Sequence, residues 1–235
     1  MSEIATPILV TGGTGALGRA VVAELLDEGA RVVATWVVPT ERDAVAEALG
    51  EREGLDLVEA DLSSERGAAE AVEAVPDGGP AALVNLVGGF AAGGRVHETP
   101  EDDLERMLAL NVKIAFRMAH AALPAMLERG GGSIVCVGAK TALEPFSGGA
   151  AYSVSKAAVL ALVRALAVEY RGDGIRANAI LPSVIDTPAN REASPDADHS
   201  TWVAPAEIAR VIRFLCSEDS TPTSGAFVPV YGRAG

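Results

Sequence analysis

An α/β fold built on a doubly wound parallel sheet is what this sequence predicts, and three observations predict it. Short apolar runs alternate with stretches of helical period along the whole chain. Those runs are apolar at consecutive positions, the mark of strands covered on both faces, whereas a strand with one wet face would alternate. No linker, repeat or low-complexity segment interrupts the series, and 235 residues suit one large domain over 1–235 better than two small ones.

Taken in order, Ile4 to Val10 is the first strand, despite Pro7 inside it, and Gly12 to Gly18 is a glycine loop. Arg19 to Glu28 continues as an amphipathic helix that Gly29 stops before a strand from Arg31 to Val37. A helix from Thr40 to Leu49 and a strand from Leu55 to Ala60 follow. Ser63 and Ser64 can cap the next helix, which runs to Val75. Asp77-Gly78-Gly79-Pro80 is a turn into the strand Ala81 to Val87, and four glycines between Gly88 and Gly94 mark a ligand-facing loop. Thr99 at the cap, Pro100 at the first position and acids in the first turn open a long helix to Glu128, with a kink expected at Pro124. Then come the strand Ile134 to Val137, a loop from Lys140 to Gly149, a helix from Tyr152 to Tyr170 and the strand Arg176 to Leu181. Pro182 to Val203 has no clear periodicity and is long enough for a substrate lid, placed at 183–204. The helix Ala206 to Leu215 and the strand Ala226 to Val230 close the chain.

Composition narrows the function. Hydrophobic residues make up 49%, which supplies a core. A net charge of −13 disfavours nucleic acid and anionic membrane surfaces as partners, and the scattered acids read as a solvated surface. No apolar run approaches the roughly 18 to 20 residues that span a bilayer, and the N-terminus carries no secretion signal. Cys136 and Cys216 are isolated thiols of core type, which fits a reducing cytoplasm. His97, His120 and His199 are too scattered for a metal site, so no metal is expected; Met107, Met118 and Met126 fall at core spacing.

The chemistry converges on two stretches. Thr11-Gly12-Gly13-Thr14-Gly15-Ala16-Leu17-Gly18 follows the first strand and opens the first helix. Glycines there permit a tight turn and close backbone approach, while a helix N-terminus stabilises a pyrophosphate, so a dinucleotide is expected against Gly12, Thr14, Ala16, Leu17 and Gly18. An acid ending the second strand would bind the adenosine ribose; Trp36 stands there, with Arg19 and Arg42 near in sequence, which leans towards NADPH over NADH. Asp61, with Leu62 after it, either meets the adenine edge or caps the following helix. The second stretch is Tyr152-Ser153-Val154-Ser155-Lys156, where residues four apart share a helix face. An ammonium beside a phenol favours phenolate and lowers a pKa that starts near ~10, and such a pair can protonate a group that receives a hydride. Tyr and Lys four apart also occur on many solvated helices.

Together these residues resemble the short-chain dehydrogenase/reductase family: the glycine loop, Asp61, Asn85-Leu86-Val87-Gly88, Asn111-Val112, Tyr152-x-x-x-Lys156, and Pro182 with Thr187, in order over nearly the whole chain. The resemblance implies a seven-stranded Rossmann-like sheet with helices on both faces, an NAD or NADP cofactor, a small-molecule substrate and a homotetramer or homodimer. It makes Tyr152 the general acid, gives Lys156 the nicotinamide ribose and a pKa-lowering charge, and gives Asn111 support of a water-mediated proton relay. Thr187 would bind the carboxamide, with Asn85, Gly88 and Pro182 lining the cofactor. Two positions depart from the pattern. Ala16 replaces a glycine of the main branch, and Ala139, thirteen residues before Tyr152, replaces the substrate-orienting serine. Thr141, Ser147 or Lys140 can substitute, or be ordinary loop polarity.

The dihydropteridine reductase-like branch shares that deficit. Val137 to Leu143, Gly88-Gly89-Phe90-Ala91, and the lid residues Asp186-Thr187-Pro188, Asn190-Arg191, Pro195 to Asp198 and Trp202 are similar to its loops, with Phe90 where that enzyme has tryptophan and Trp36 where it has the ribose-binding acid. Phe90 stacks a planar substrate or covers the sheet edge, Trp202 closes the lid or packs, and Lys140 and Arg191 attract an anionic substrate group or are solvated. The expected function is NAD(P)H-dependent reduction of a quinonoid dihydropterin-like substrate. The alternatives are a carbonyl or 3-oxoacyl reductase, and a catalytically weak nucleotide-binding sensor or interaction protein.

Overall fold

The computed structural model describes residues 4–50 and 52–233, so the extreme ends of the expected range 1–235 lie outside the described residues. One sheet runs through it in the order β3-β2-β1-β4-β5-β6-β7, and every neighbouring pair is parallel. The strands are β1 (Ile8–Thr11), β2 (Val32–Trp36), β3 (Leu55–Glu59), β4 (Ala82–Asn85), β5 (Gly132–Val137), β6 (Ile175–Pro182) and β7 (Phe227–Val230). Between them lie α1 (Ala16–Asp27), α2 (Pro39–Leu49), α3 (Glu65–Glu73), α4 (Glu101–Met107), α5 (Ile114–Arg129), α6 (Ala150–Glu169), α7 (Pro188–Ala193) and α8 (Pro205–Cys216). The seven-stranded, doubly wound sheet is therefore the one expected.

Two cores form because the strands are apolar on both faces. On one side Leu9, Leu83, Ile134 and Leu181 meet Met118, Met126 and Val163 from α5 and α6. On the other Ile8, Val10, Val84 and Ile180 meet Val22 and Leu25 of α1 and Ile208 and Ile212 of α8. Met107 is fully buried, so Met107, Met118 and Met126 are packing residues, as their spacing suggested. Arg213 of α8 donates to the Glu24 carboxylate on α1 at 3.0 Å and ties those two helices.

Several boundaries differ from the sequence reading, each for a local reason. The first strand starts at Ile8, since Pro7 has no N–H to give the ladder; Ala5 bonds instead to the Cys216 carbonyl at 3.2 Å. The first helix begins at Ala16, inside the glycine loop, because Gly18 removes the side chain that would obstruct that turn. Thr99 does not cap the long helix: its hydroxyl donates to the Gly94 and Arg95 carbonyls, and the helix starts after Pro100. That helix is broken at a six-residue π turn, Leu108–Lys113, and not at Pro124, which lies inside α5. A π turn widens the ladder and re-aims the side chains around it. The lid segment contains α7 and a 3₁₀ turn, His199–Thr201.

One helix exceeds the hydropathy expectation. The 20 residues of α6 are long and apolar enough to cross a membrane by length and composition. Half of that stretch is buried, and Val159, Leu160, Val163 and Leu166 enter the core, so that half of its apolarity is used in packing.

Candidate active site

Strand order reverses between β1 and β4, and the carboxyl ends of β1, β4, β5 and β6 meet around that point, the place where doubly wound sheets bind ligands. Threonines hold the strand ends together. The Thr11 hydroxyl accepts from Leu86 N at 3.1 Å, and the Thr35 hydroxyl accepts from Gly12 N at 3.1 Å.

The glycine loop at the end of β1 has the form an anionic dinucleotide requires. Gly12 has φ +63°, open to glycine and strained for other residues. A Cβ on Gly13 would lie 2.6 Å from the Ala34 Cβ, and a Cβ on Gly18 would run into the Gly12 carbonyl oxygen. At Gly15 the nearest atom would be 3.5 Å away, so the crowding lies under the loop and the open side lies over it. The N-terminus of α1 has no side-chain cap and no acid in its first turn, which leaves its N–H groups and positive dipole end for a pyrophosphate. Ala16 and Leu17, half-buried, begin that helix. Thr14 is buried, and its hydroxyl donates to the Glu41 carboxylate at 3.3 Å. These residues fit the dinucleotide the sequence suggested.

At the end of β2, Trp36 is buried and the Arg42 guanidinium lies 4.9 Å from its ring centroid. Arg42 also donates to Asp43 at 2.8 Å through Nε. Asp61 is exposed, and hydrogen bonds from the Ser63 hydroxyl and from Ser63 N, the latter at 2.9 Å, hold its carboxyl below the usual range; Ser64, not Asp61, caps α3 by accepting from Gly67 N at 3.0 Å. Leu62 is core, and its carbonyl accepts from Arg117 at 3.0 Å. Asn85 is buried at the end of β4 and its amide donates to the Cys136 sulfur at 3.7 Å.

Tyr152 and Lys156 share the inner face of α6. Lys156 is buried; its ammonium donates to the Val137 carbonyl at 2.9 Å and lies 5.9 Å from the Tyr152 ring centroid. Burial lowers the Lys156 pKa to about 8. Burial also pushes the Tyr152 phenol up to about 12, so the expected lowering of that pKa by the neighbouring ammonium is reversed. Removing the phenol from water outweighs a charge at that separation. Asn111 sits at the centre of the π turn. Its Oδ1 accepts from Gly89 N at 2.8 Å, and its Nδ2 donates to the Ser155 hydroxyl at 2.9 Å and the Gly89 carbonyl at 3.1 Å. Ser155 in turn donates to the Tyr152 carbonyl at 2.7 Å. A Cβ on Gly88 would lie 2.6 Å from Asn111 Oδ1 and 3.2 Å from Lys156 Nζ, so a glycine there lets the loop close over both.

A cavity of about 570 Å³ opens beside Tyr152, walled by Phe90, Gly138, Ala139, Phe146, Pro182 and Ile185 among others. Phe90 meets Tyr152 edge-on with ring centroids 4.9 Å apart, and lies near-parallel to Phe146 at 6.5 Å. Ala139 is buried and presents only a methyl group to this space. Of the residues weighed as substitutes, Ser147 is exposed and outside the wall; Lys140 and Thr141 are in it. Lys140 pairs with Glu144 at 3.7 Å and lies 5.0 Å over the Tyr231 ring. The lid contributes Asn190, Ala193 and Ser194 to the cavity. Arg191 and Trp202 stand outside its wall: Asp186 accepts from Arg191 at 2.8 Å, and Trp202 packs on the His199 ring at 4.4 Å. The Thr187 hydroxyl caps α7 by accepting from Asn190 N at 3.2 Å. Among the described residues no cluster of metal-ligating side chains occurs.

Phe146 and Ser155 were missed by sequence reasoning. Phe146 lies in an aperiodic loop, and its only signal was an aromatic placed among Gly, Ser and Pro; Ser155 looked like ordinary helix polarity.

Residues 13–232 match the family described as enoyl-(acyl carrier protein) reductase. The chain is 32% identical to 2-(R)-hydroxypropyl-CoM dehydrogenase of Xanthobacter autotrophicus over 99% of this chain and 98% of that one. It is 28% identical to the 3-oxoacyl-[acyl-carrier-protein] reductase MabA of Mycobacterium bovis over 99% and 94%. A solved short chain dehydrogenase/reductase family protein superposes with a TM-score of 0.90 at 30% identity, covering 100% of both chains.

Proposed function

The chain belongs to the short-chain dehydrogenase/reductase family of NAD(P)-dependent oxidoreductases, and on that premise we propose that it reduces a flat, electron-poor ring of the quinonoid dihydropterin kind. The observation that carries this reading is the wall of the cavity. Phe90 and Phe146 offer ring faces beside Tyr152, while the place where the family's pattern has a hydroxyl is the methyl of Ala139. A quinonoid ring accepts hydride readily and needs no second donor polarising one carbonyl oxygen, whereas a simple ketone does. The cavity volume falls in the range of about 300 to 1,000 Å³ usual for small-molecule sites.

A nicotinamide cofactor, when bound, would supply the hydride. The rest falls to the chain's own residues. The α1 N-terminus and the glycine loop would hold the pyrophosphate, and Lys156, aimed by the Val137 carbonyl, would hold ribose hydroxyls and keep a positive charge near the phenol. Tyr152 gives its hydroxyl proton to the ring atom on which negative charge develops. Asn111 spends its side-chain amide on Gly89 and Ser155, so its share in proton supply is to fix the loop and the start of α6 around Lys156. The 183–204 segment closes over the cavity with Asn190 and Ser194 facing the substrate. Arg42 beside Trp36, with no acid at the end of β2, favours NADPH over NADH.

Two apolar stripes support a homodimer or homotetramer, and the free, buried thiols Cys136 and Cys216 suit a reducing cytoplasm. On α5, Phe116, Pro124 and Leu127 are exposed in line with His120 at intervals of four, four and three, and on α6, Val154, Ala157, Ala161 and Val168 at intervals of three, four and seven. A second reading, reduction of a 3-oxoacyl ketone, is favoured by the similarity to the 3-oxoacyl-[acyl-carrier-protein] reductase of Mycobacterium bovis and by the apolar Pro182, Val184 and Ile185 in the cavity wall.

The test is oxidation of NADPH and of NADH, read at the nicotinamide absorbance band, with quinonoid dihydropterin generated in the cuvette and ketones and a 3-oxoacyl ester run in parallel. Pterin turnover faster than ketone turnover, and better with NADPH, is the expected result. Turnover of ketones alone sinks the pterin reading.

A pH profile follows from the buried pair. Lys156 loses its proton above about 8, while the Tyr152 phenol, at about 12, stays protonated throughout the working range. The kcat/KM for cofactor, which reports the free enzyme, should therefore fall on the alkaline side of pH 8. A flat profile to pH 10 would rule out a required Lys156 ammonium. The same shift has a stability consequence. The folded pKa of Lys156 is below its ordinary 10.5, so the buried ammonium costs stability below about 8 and that cost fades as pH rises through this window.

A further inference from the structure

For a dinucleotide held on the glycine loop, the nicotinamide end lies toward Tyr152 and the ends of β5 and β6, where the cavity is. The adenosine end then falls on the other side of β1, over the carboxyl end of β2. Trp36, buried, stands there in place of a ribose-binding acid. An acid reaches the same region by another route. Glu41, in the first turn of α2, is exposed and accepts from the hydroxyl of Thr14, a buried residue of the glycine loop, at 3.3 Å. We propose that Glu41 discriminates between the two cofactors: its carboxylate accepts from an adenosine ribose hydroxyl and opposes a 2′-phosphate. This rests on the pyrophosphate lying against the glycine loop and is independent of the pterin reading.

The local chain explains why the carboxylate is there. Only Val37 and Val38 separate β2 from α2; Val38 is extended, with φ −106° and ψ 111°, and Pro39 sets the first helical position. Glu41 N donates to the Val38 carbonyl at 3.1 Å and closes that first turn. A carboxylate at this point is favoured by the positive end of the helix dipole, so the acid has a local reason to stay. On the loop, Gly13 and Gly15 flank Thr14, which makes its hydroxyl the one side-chain polar group between them. A threonine hydroxyl has a single proton to donate, and this one is given to Glu41, which leaves none for a phosphate.

The cation next in sequence does not cancel this charge. Arg42 lies 4.9 Å from the Trp36 ring centroid, and its Nε donates to Asp43 at 2.8 Å, so it is already shared with a carboxylate. A phosphate monoester carries about −1.5 to −2 at neutral pH, and like charges a few ångströms apart repel even where water reaches them. A ribose hydroxyl, in contrast, donates to a carboxylate in a charge-assisted bond. Arg42 draws the 2′-phosphate and Glu41 opposes it, which holds the preference for NADPH small. Neutralising Glu41 should therefore enlarge it, and should move the two cofactors in opposite directions.

The test is titration calorimetry of the parent and of Glu41→Gln, which keeps the shape and removes the charge. The ligands are NADPH and NADH, and adenosine 2′,5′-bisphosphate and ADP in place of the whole cofactor, so no turnover is needed. The variant should bind NADPH and the bisphosphate about 10-fold more tightly, and NADH and ADP about 3- to 10-fold less tightly. A loss of affinity for all four ligands together is what a purely structural hold on Thr14 would give, and it overturns the proposal. An unchanged ratio of NADPH to NADH affinity overturns it as well, while leaving the glycine loop as the pyrophosphate site. A parent that binds none of the four removes that placement and Glu41 with it. Turnover of pterin against ketone is measured separately and bears on neither.

Discussion

Tyr152→Phe is expected to lower kcat by about 1,000-fold while NADPH binds as before, within the 10²- to 10⁴-fold that a positioned general acid contributes. The substitution is clean because the ring has its own reason to stay: it packs edge-on against Phe90 at 4.9 Å, and among the described residues none is held by a hydrogen bond from that hydroxyl. The phenol sits at about 12, so it is protonated at every working pH and loses its proton only as negative charge grows on the substrate. Removing it leaves Lys156 in place on the Val137 carbonyl. Cofactor affinity by fluorescence titration and single-turnover oxidation by stopped flow separate the two effects. A loss smaller than tenfold would mean that another group delivers the proton.

The second large effect is expected at Gly18. A methyl there would run into the Gly12 carbonyl oxygen and lie 2.6 Å from the Gly13 carbonyl carbon, and all of those atoms are backbone. Backbone cannot swing aside as a side chain does, so Gly18→Ala must lift the start of α1 away from the loop. Overpacking of this kind costs about 1–3 kcal/mol, which for a chain of this size is a fall in Tm of roughly 2–12 °C. The larger consequence is for the cofactor, since the α1 N–H groups and the loop would no longer converge on one pyrophosphate. NADPH affinity should drop at least about tenfold, in excess of the stability change. Thermal melts with and without NADPH measure both. A variant that melts lower yet is stabilised by NADPH as much as the parent would place the pyrophosphate elsewhere.

The parts that were legible in the sequence are those set by local pattern. Apolar runs marked β1, β2, β4 and β5 most plainly, because parallel strands buried on both faces have little polar alternation to hide them, whereas the edge strand β3 carries exposed Asp56 and Glu59. The i, i+4 spacing placed Tyr152 and Lys156 on one face of α6, and the glycines placed the tight loop between β1 and α1. What escaped depends on tertiary surroundings. The π turn around Asn111 keeps the apolar period of an ordinary helix, so the break was assigned to Pro124 instead. The Tyr152 pKa was read from its charged neighbour alone, whereas burial, set by loops distant in sequence, decides it. Phe146 reaches Phe90 across a gap of more than fifty residues that no periodicity reports. Arg191 and Trp202 carry no sign in the sequence that Asp186 and His199 hold them off the cavity.

The π turn at Leu108–Lys113 gives this region an unusual sensitivity to changes in chain length. Each residue rotates an α-helix by about 100°, so a wider turn sets the angular offset between α4 before it and α5 after it. Deleting a single residue such as Ala109 would let the ladder close into plain α-helix. Either Asn111 would then turn away from Gly89, or the buried methionines would: Met107 on one side, Met118 and Met126 on the other. Substitutions at half-exposed positions here change one contact, while an indel misaligns the helix along its whole length. In a family alignment this stretch should tolerate varied letters and no gaps.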